Sequence, residues 1–152
     1  MLPRKTNALL IEDSSNDAEL MKQAFHELEA DITLHHVPSV VAALSFLFKE
    51  GRFPHAATPD VILLDLSLPN IPGEEALKII RQTRDLDDTP IIVFTASEDK
   101  ALHARCLTKG ATAIWVKPPT WSEYLHLVNI IRECLKDHER PTECIEEHSA
   151  EL

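Results

Sequence analysis

The sequence predicts an α/β fold in which five parallel strands alternate with five helices. Five short apolar runs recur along the chain, at 8–12, 32–37, 61–65, 91–95 and 112–116. Four of the five are nearly continuous and rich in β-branched residues. Such runs are typical of strands buried on both faces of a parallel sheet. The segments between them have helical spacing, and right-handed crossovers would place the helices on both faces of one doubly wound sheet.

The first two helices are predicted from the spacing of their apolar residues and from their caps. Four apolar residues of the segment 16–30 share one helical face, namely Met21, Ala24, Phe25 and Leu28. Either Ser15 or Asn16 can cap the start of this helix. The second helix is predicted over 39–51, with Ser39 as its cap and Gly51 as its stop.

Three further helices are predicted over 73–84, 98–110 and 121–137. The first of them has one side lined by Ala76, Leu77, Ile80 and the stem of Arg84. Together with the strands they define one domain over 6–137. We expect 138–152 to form a short acidic tail, without room for an output domain.

Composition excludes several classes of protein. The chain has 152 residues, with 15 basic and 25 acidic side chains and a net charge of −10. That charge disfavours binding to nucleic acid or to an anionic membrane. Because no signal peptide or membrane span is recognisable, we expect a cytoplasmic protein. Three cysteines without a C-x-x-C pair argue against a disulfide framework and favour reduced thiols.

Polar residues follow most of the predicted strands where each strand ends. Glu12 and Asp13 follow the first strand, Asp65 the third, Thr95 the fourth and Lys117 the fifth. Functional groups of open parallel sheets gather at this edge. Three carboxylates in one place repel each other, and a hard divalent cation such as Mg²⁺ would remove that conflict. Asp65 could then attack phosphorus as a nucleophile, with Thr95 and Lys117 binding phosphate oxygens.

Four segments carry a resemblance to a known family: LIEDS at 10–14, ILLDLSLPNIPG at 62–73, IVFTAS at 92–97 and VKPP at 116–119. The chain resembles the receiver domain of bacterial response regulators over residues 6–136. The resemblance implies a flavodoxin-like sheet of order 2-1-3-4-5 and transfer of a phosphoryl group from a histidine kinase to Asp65. It also implies a cis bond between Lys117 and Pro118.

The same resemblance implies the roles of the site residues. Mg²⁺ would be bound by Asp13, Asp65 and the backbone carbonyl of Ser67, with Glu12 acting through water. Thr95 and the Ala96 amide would hold the phosphoryl group, and Lys117 would pair with it.

A narrower likeness and one departure also bear on function. Single-domain regulators paired with bacterial phytochromes are similar to this chain in the segment 16–27, in the long loop 51–60 and in the expected absence of an output domain.

Many receivers carry Tyr or Phe three residues before the lysine, where Ile114 stands here. The neighbouring aromatic is Trp115, which strand alternation directs to the other face. Coupling between Thr95 and an aromatic switch is therefore not expected in its usual form.

The last helix has a wider apolar arc than one buried face requires. Leu127, Ile130 and Cys134 fall on the side away from its predicted core residues. Since an excess apolar face usually marks a protein contact, we expect a twofold homodimer through these residues. The alternatives are burial of this face by the tail, with Ile145 folding back, and a helix whose outer face has no partner.

Other functions account less well for the sequence. A phosphatase of the haloacid dehalogenase type needs a second acid two residues after the nucleophile, where Ser67 stands. A flavin carrier needs a phosphate loop after the first strand, and none is present. A receiver-shaped adaptor that works without phosphorylation is the remaining alternative, which Ile114 keeps open and the acidic set argues against.

Overall fold

The computed structural model describes residues 5–28, 31–83, 86–137 and 140–148. Over these ranges the chain forms five strands and six α-helices: β1 Thr6–Ile11, α1 Ser15–Glu27, β2 Ile32–Val37, α2 Val40–Leu47, β3 Val61–Asp65, α3 Gly73–Arg81, β4 Ile91–Thr95, α4 Lys100–Thr108, β5 Ala113–Val116, α5 Trp121–Asp137 and α6 Pro141–His148. The strands form one sheet of order β2-β1-β3-β4-β5, and every pair is parallel. The predicted fold is therefore confirmed.

The sheet separates two apolar cores. One lies against α1, α5 and α6 and includes Met21, Val128 and Ile145, whereas the other lies against α2, α3 and α4 and includes Phe46 and Leu77. Every residue of β3 and β4 is buried. This explains why the two central strands are continuous apolar runs, since both of their faces are covered by helices.

Capping determines where the first helices begin. The Ser14 hydroxyl accepts a hydrogen bond from the Asp17 N–H at 3.2 Å, so Ser14 is the N-cap of α1 in place of the predicted Ser15 or Asn16. Ser39 caps α2 as predicted, accepting from the Ala42 N–H at 3.1 Å. Arg84, which was placed on the apolar side of the third helix, lies outside the described residues.

Gly73 brings the start of α3 against the segment that follows Asp65. A Cβ atom at this position would lie 2.6 Å from the Cα of Leu66 and 2.6 Å from its carbonyl oxygen. Those distances are far inside van der Waals contact, so only glycine fits without a backbone shift. The close approach fixes the loop on which the predicted site depends.

The predicted acidic tail contains a helix that packs onto α5. In α6, Ile145 is fully buried, and Cys144 forms a disulfide with Cys134 of α5 across a Cα–Cα distance of 5.5 Å. The prediction of reduced thiols is thus wrong for these two residues, while Cys106 is free and buried. The physical reason is a chain reversal after α5, which brings together two cysteines ten residues apart.

The same helix changes the role predicted for the outer face of α5. Leu127, Ile130 and Cys134 are 4%, 5% and 0% exposed, and they share one apolar cluster with Cys144 and Ile145. The prediction that they form an exposed dimer surface is therefore wrong, and burial by the tail with Ile145 folding back is confirmed. Homodimerisation itself stays a prediction without an assigned surface.

The bond between Lys117 and Pro118 is trans, as are all peptide bonds of the described residues, so the predicted cis isomer is wrong. Trans is the lower-energy form of most bonds that precede proline. Among the described helices, none has the length and apolar character needed to cross a membrane.

Candidate functional site

Three acidic side chains converge at the carboxyl ends of β1 and β3, as predicted. Carboxylate oxygens of Glu12, Asp13 and Asp65 all lie within 4.8 Å of one another. Glu12 and Asp65 are each only 2% exposed, whereas Asp13 is exposed to solvent. The pairing of Ile11 with Leu64 in the parallel sheet brings these two strand ends side by side. The result is a buried acidic pair that opens to solvent on the side of Asp13.

Lys117 supplies the positive charge of the site. Its Nζ lies 2.8 Å from Asp17 Oδ2, 3.2 Å from Glu12 Oε1 and 3.6 Å from Asp65 Oδ2. The backbone N–H of Lys117 donates to the Thr95 carbonyl oxygen at 2.7 Å, which ties the end of β5 to the end of β4. One ammonium group is therefore shared among three carboxylates, and its main chain is held by the sheet.

Burial and mutual repulsion shift the titration of this cluster. Burial raises the pKa of Glu12 to about 8, and the hydrogen bond with Asp65 and the charge of Asp65 act in the same direction against the attraction of Lys117. Burial lowers the pKa of Lys117, but the hydrogen bond to Asp17 and the charges of Asp65 and Glu12 outweigh it and leave that pKa raised. Lys117 is therefore firmly protonated at neutral pH.

The remaining predicted site residues flank Asp65. The Ser67 N–H donates to Asp65 Oδ1 at 3.0 Å. The Thr95 hydroxyl is buried at the end of β4 and accepts from the Ser97 N–H at 3.1 Å, while Ala96 is exposed beside it. Parallel pairing places Asp65 opposite Phe94, one residue before Thr95. The structure thus brings the residues predicted for metal and phosphate binding to one edge of the sheet.

Ile114 and Trp115 point to opposite faces of β5, as predicted from strand alternation. Ile114 is 8% exposed and belongs to the core beneath α2, α3 and α4. Trp115 is 1% exposed and belongs to the core beneath α1 and α5. The aromatic ring is therefore on the face opposite to Ile114 and is not available to move with Thr95 on that face.

The acidic cluster fits a hard divalent cation. Three carboxylates lie together, two of them are buried, and Lys117 offers them a single compensating charge. Oxygen ligands of this kind are what Mg²⁺ and other hard cations bind. A second described group of possible metal ligands, Cys134, Cys144 and His148, has its two sulfurs joined in the disulfide.

Sequence reasoning missed two residues that contact this site. Asp17 makes the shortest contact of the Lys117 ammonium, at 2.8 Å. His36 Nε2 lies 2.7 Å from the Glu12 carbonyl oxygen and braces the backbone at the end of β1. Asp17 looked like an ordinary first-turn acid of a helix. No spacing rule links His36 to Glu12, because their contact depends on the pairing of β1 with β2.

Known proteins resemble the chain in sequence and in fold. The family model of the response regulator receiver domain matches residues 8–129. The response regulator Rcp1 of Synechocystis sp. is 36% identical over 110 residues, which cover 67% of this chain and 75% of Rcp1. The match confirms the resemblance that the four sequence segments indicated.

Solved structures give the same result. The crystal structure of the Mn(2+)-bound form of response regulator Rcp1 superposes with a TM-score of 0.78 at 28% identity, over 90% of this chain and 99% of that one. The bacteriophytochrome response regulator RtBRR superposes with a TM-score of 0.70 at 29% identity, over 83% of this chain and 77% of that one. The sheet of order 2-1-3-4-5 is thus that of known receivers.

Proposed function

The chain belongs to the response regulator receiver domain family, and on that premise we propose that its Asp65 accepts a phosphoryl group from a histidine kinase. The observation that carries the proposal is the position of this carboxylate. Asp65 is 2% exposed, one of its oxygens lies within 4.8 Å of an oxygen of Glu12 and of Asp13, and Lys117 Nζ is 3.6 Å from Asp65 Oδ2. A carboxylate presented this way is suited to nucleophilic attack on phosphorus.

The proposed transfer moves the phosphoryl group from a histidine nitrogen of the donor to a carboxylate oxygen of Asp65. An Asp65 carboxylate oxygen forms a bond to phosphorus, and the P–N bond of the donor phosphohistidine breaks. The electron pair of that bond stays on the imidazole nitrogen, which then takes up a proton, and Asp65 becomes an acyl phosphate. Water later attacks the same phosphorus, the bond between phosphorus and the Asp65 oxygen breaks, and inorganic phosphate leaves as the carboxylate is restored. The chain thereby accepts and loses its own phosphoryl group and turns over no outside substrate.

The other site residues bind and orient the group. Lys117 pairs with a phosphoryl oxygen, and the Thr95 hydroxyl and the Ala96 amide hold the other oxygens. Glu12, Asp13, Asp65 and the backbone carbonyl of Ser67 are the proposed ligand set for Mg²⁺, with Glu12 acting through water. When bound, the metal would neutralise the carboxylates and the charge of the transferring group.

The proposed kinase is a bacteriophytochrome. This proposal is supported by the relatives, since one solved structure is described as a bacteriophytochrome response regulator and shares 29% identity with this chain. The phosphorylated form would signal by contacts with other proteins. An adaptor that works without phosphorylation is the alternative, favoured only by Ile114, whose packed side chain replaces the usual aromatic.

Intact-mass measurement tests the proposal. The chain is incubated with a small phosphodonor and Mg²⁺, beside an Asp65→Asn variant and a metal-chelated sample. We expect one added phosphoryl group that is absent from both controls. If no mass is added and a beryllofluoride mimic also fails to bind, the adaptor alternative replaces the proposal.

A further inference from the structure

The Asp17 carboxylate on α1 is the nearest described partner of Lys117. Its Oδ2 lies 2.8 Å from Lys117 Nζ, whereas Asp65 Oδ2 lies 3.6 Å away. Neither side chain is fully exposed, with Lys117 at 17% and Asp17 at 34%. The contact therefore joins the start of α1 to the end of β5 at the edge of the site.

Asp17 does not play the role that its place in a helix would suggest. It stands three residues after the N-cap Ser14, where an acidic side chain commonly reaches back to the N–H of the cap. Here the Ser14 N–H donates to Glu12 Oε2 at 3.5 Å, and the carboxylate of Asp17 is turned to Lys117. The backbone of Asp17 is still fixed, because its N–H donates to the Ser14 hydroxyl.

We propose that Asp17 is a positioning residue that holds Lys117 in the resting state and yields it when a phosphoryl group is present on Asp65. This inference rests on the proposed function. A phosphoryl group brings new oxygens beside Lys117, and these compete with Asp17 for one ammonium group. Phosphorylation would then release the first turn of α1 from β5.

Through this contact, α1 takes part in transmitting the state of the site. On the face of the sheet where receivers carry a mobile aromatic, this chain carries Ile114 in a packed core. The contact between Lys117 and Asp17 lies at the other helical layer, where α1 packs with α5. A change in the partner of Lys117 therefore acts on α1 without any movement of Ile114.

The test compares two substitutions that change the charge of α1 equally. Asp17→Asn removes the charge that competes for Lys117 and keeps a side chain of the same shape. Glu19→Gln removes an exposed charge from the same helix. Affinity for beryllofluoride is measured by ¹⁹F NMR at saturating Mg²⁺, with each substitution also placed in a Lys117→Met background.

We expect Asp17→Asn to bind beryllofluoride about threefold to fivefold more tightly, as loss of a partly exposed competing ion pair allows. Glu19→Gln should change the affinity less than about twofold, since solvent and salt screen its charge. In the Lys117→Met background the effect of Asp17→Asn should vanish, which a purely structural role of Asp17 would not predict.

The outcomes separate this inference from the proposed function. If the unaltered chain neither gains a phosphoryl group nor binds beryllofluoride, the proposed function fails and the inference fails with it. If the unaltered chain binds but Asp17→Asn behaves like Glu19→Gln, or keeps its effect without Lys117, only the inference is overturned. A matching fall in thermal stability with unchanged affinity would give Asp17 a structural role alone.

Discussion

Lys117 on the loop after β5 lies 3.6 Å from Asp65 at the end of β3, with β4 between the two strands. Their side chains meet because the carboxyl ends of parallel strands share one edge of the sheet. The pair is nearly buried, with Asp65 at 3% and Lys117 at 17% side-chain exposure. The ammonium group of Lys117 is thus close enough to the proposed phosphoacceptor to stabilise the negative charge of a phosphoryl group during transfer.

Replacing Lys117 by methionine should slow phosphorylation by a small phosphodonor at least about tenfold, because one hydrogen bond to a charged group is lost in the transition state. The rate is measured by intact mass over time. Lys109→Met is the matched control, since Lys109, directly after α4, pairs with Glu74 of α3 at 3.3 Å. Equal slowing in both variants would contradict the role of Lys117.

Metal affinity should rise as the pH increases toward about 8, the pKa to which burial raises Glu12. A cation binds the deprotonated carboxylate, so protons compete with the metal below that pH. The slope is at most about tenfold per pH unit for one proton, and it should flatten above the pKa. Titration with Mg²⁺ at several pH values measures it, and Glu12→Gln should abolish the slope.

The raised pKa of Glu12 also determines how the stability of the metal-free protein changes with pH. The pKa of folded Glu12 lies above its ordinary value of 4.5. The contribution of protonated Glu12 to the free energy of unfolding is therefore complete below about pH 4.5, and it is lost as the pH rises through about 8. Denaturant unfolding with a chelator present should therefore show the unaltered chain losing stability over that range relative to Glu12→Gln. A difference of the opposite sign would show that the pKa of folded Glu12 is not raised.

The stability of the fold should tolerate loss of the indole nitrogen of Trp115 but not loss of the whole aromatic side chain. The side chain is 1% exposed, and among the described residues its Nε1 has no hydrogen-bond partner. Trp115→Phe opens a small cavity but removes an unsatisfied donor, so the free energy of unfolding should change by less than about 2 kcal/mol. Trp115→Ala should cost about 3–5 kcal/mol. Urea unfolding compares the two, and equal losses would mean that the nitrogen is satisfied.

Reduction of the disulfide between Cys134 and Cys144 should loosen α6. A bridge that closes a loop of ten residues typically contributes about 2–3 kcal/mol to the free energy of unfolding. Hydrogen exchange in α6 should therefore quicken when a dithiol reductant is added, while exchange in β3 changes little. In Cys144→Ala the exchange of α6 should be insensitive to the reductant. Unchanged exchange in the unaltered chain would show that burial of Ile145 alone holds α6.

Much of the fold follows from local patterns in the sequence. The buried strands β3 and β4 are continuous apolar runs, and Asp65 and Thr95 stand at their ends, so the sequence alone places both residues at one edge of the sheet. Alternation along β5 correctly separated Ile114 from Trp115. These features depend on neighbours in the chain, whose physical preferences are local.

The features that could not be predicted depend on contacts between distant elements. The dimer surface was assigned from the apolar arc of α5, but α6 folds back and covers it with Ile145. The bridge of Cys134 to Cys144 follows from that reversal and not from the spacing of the cysteines. Asp17 meets Lys117 across a separation of 100 residues, which no local pattern encodes.

Chemical trapping of the acyl phosphate tests the central claim most directly. After incubation with a small phosphodonor and Mg²⁺, borohydride reduces an aspartyl phosphate to homoserine, and peptide mapping locates the altered residue. We predict homoserine at position 65 alone, in place of Asp65 and only when the donor is present. Homoserine at another aspartate, or none in a sample whose intact mass had increased, would contradict phosphorylation of Asp65.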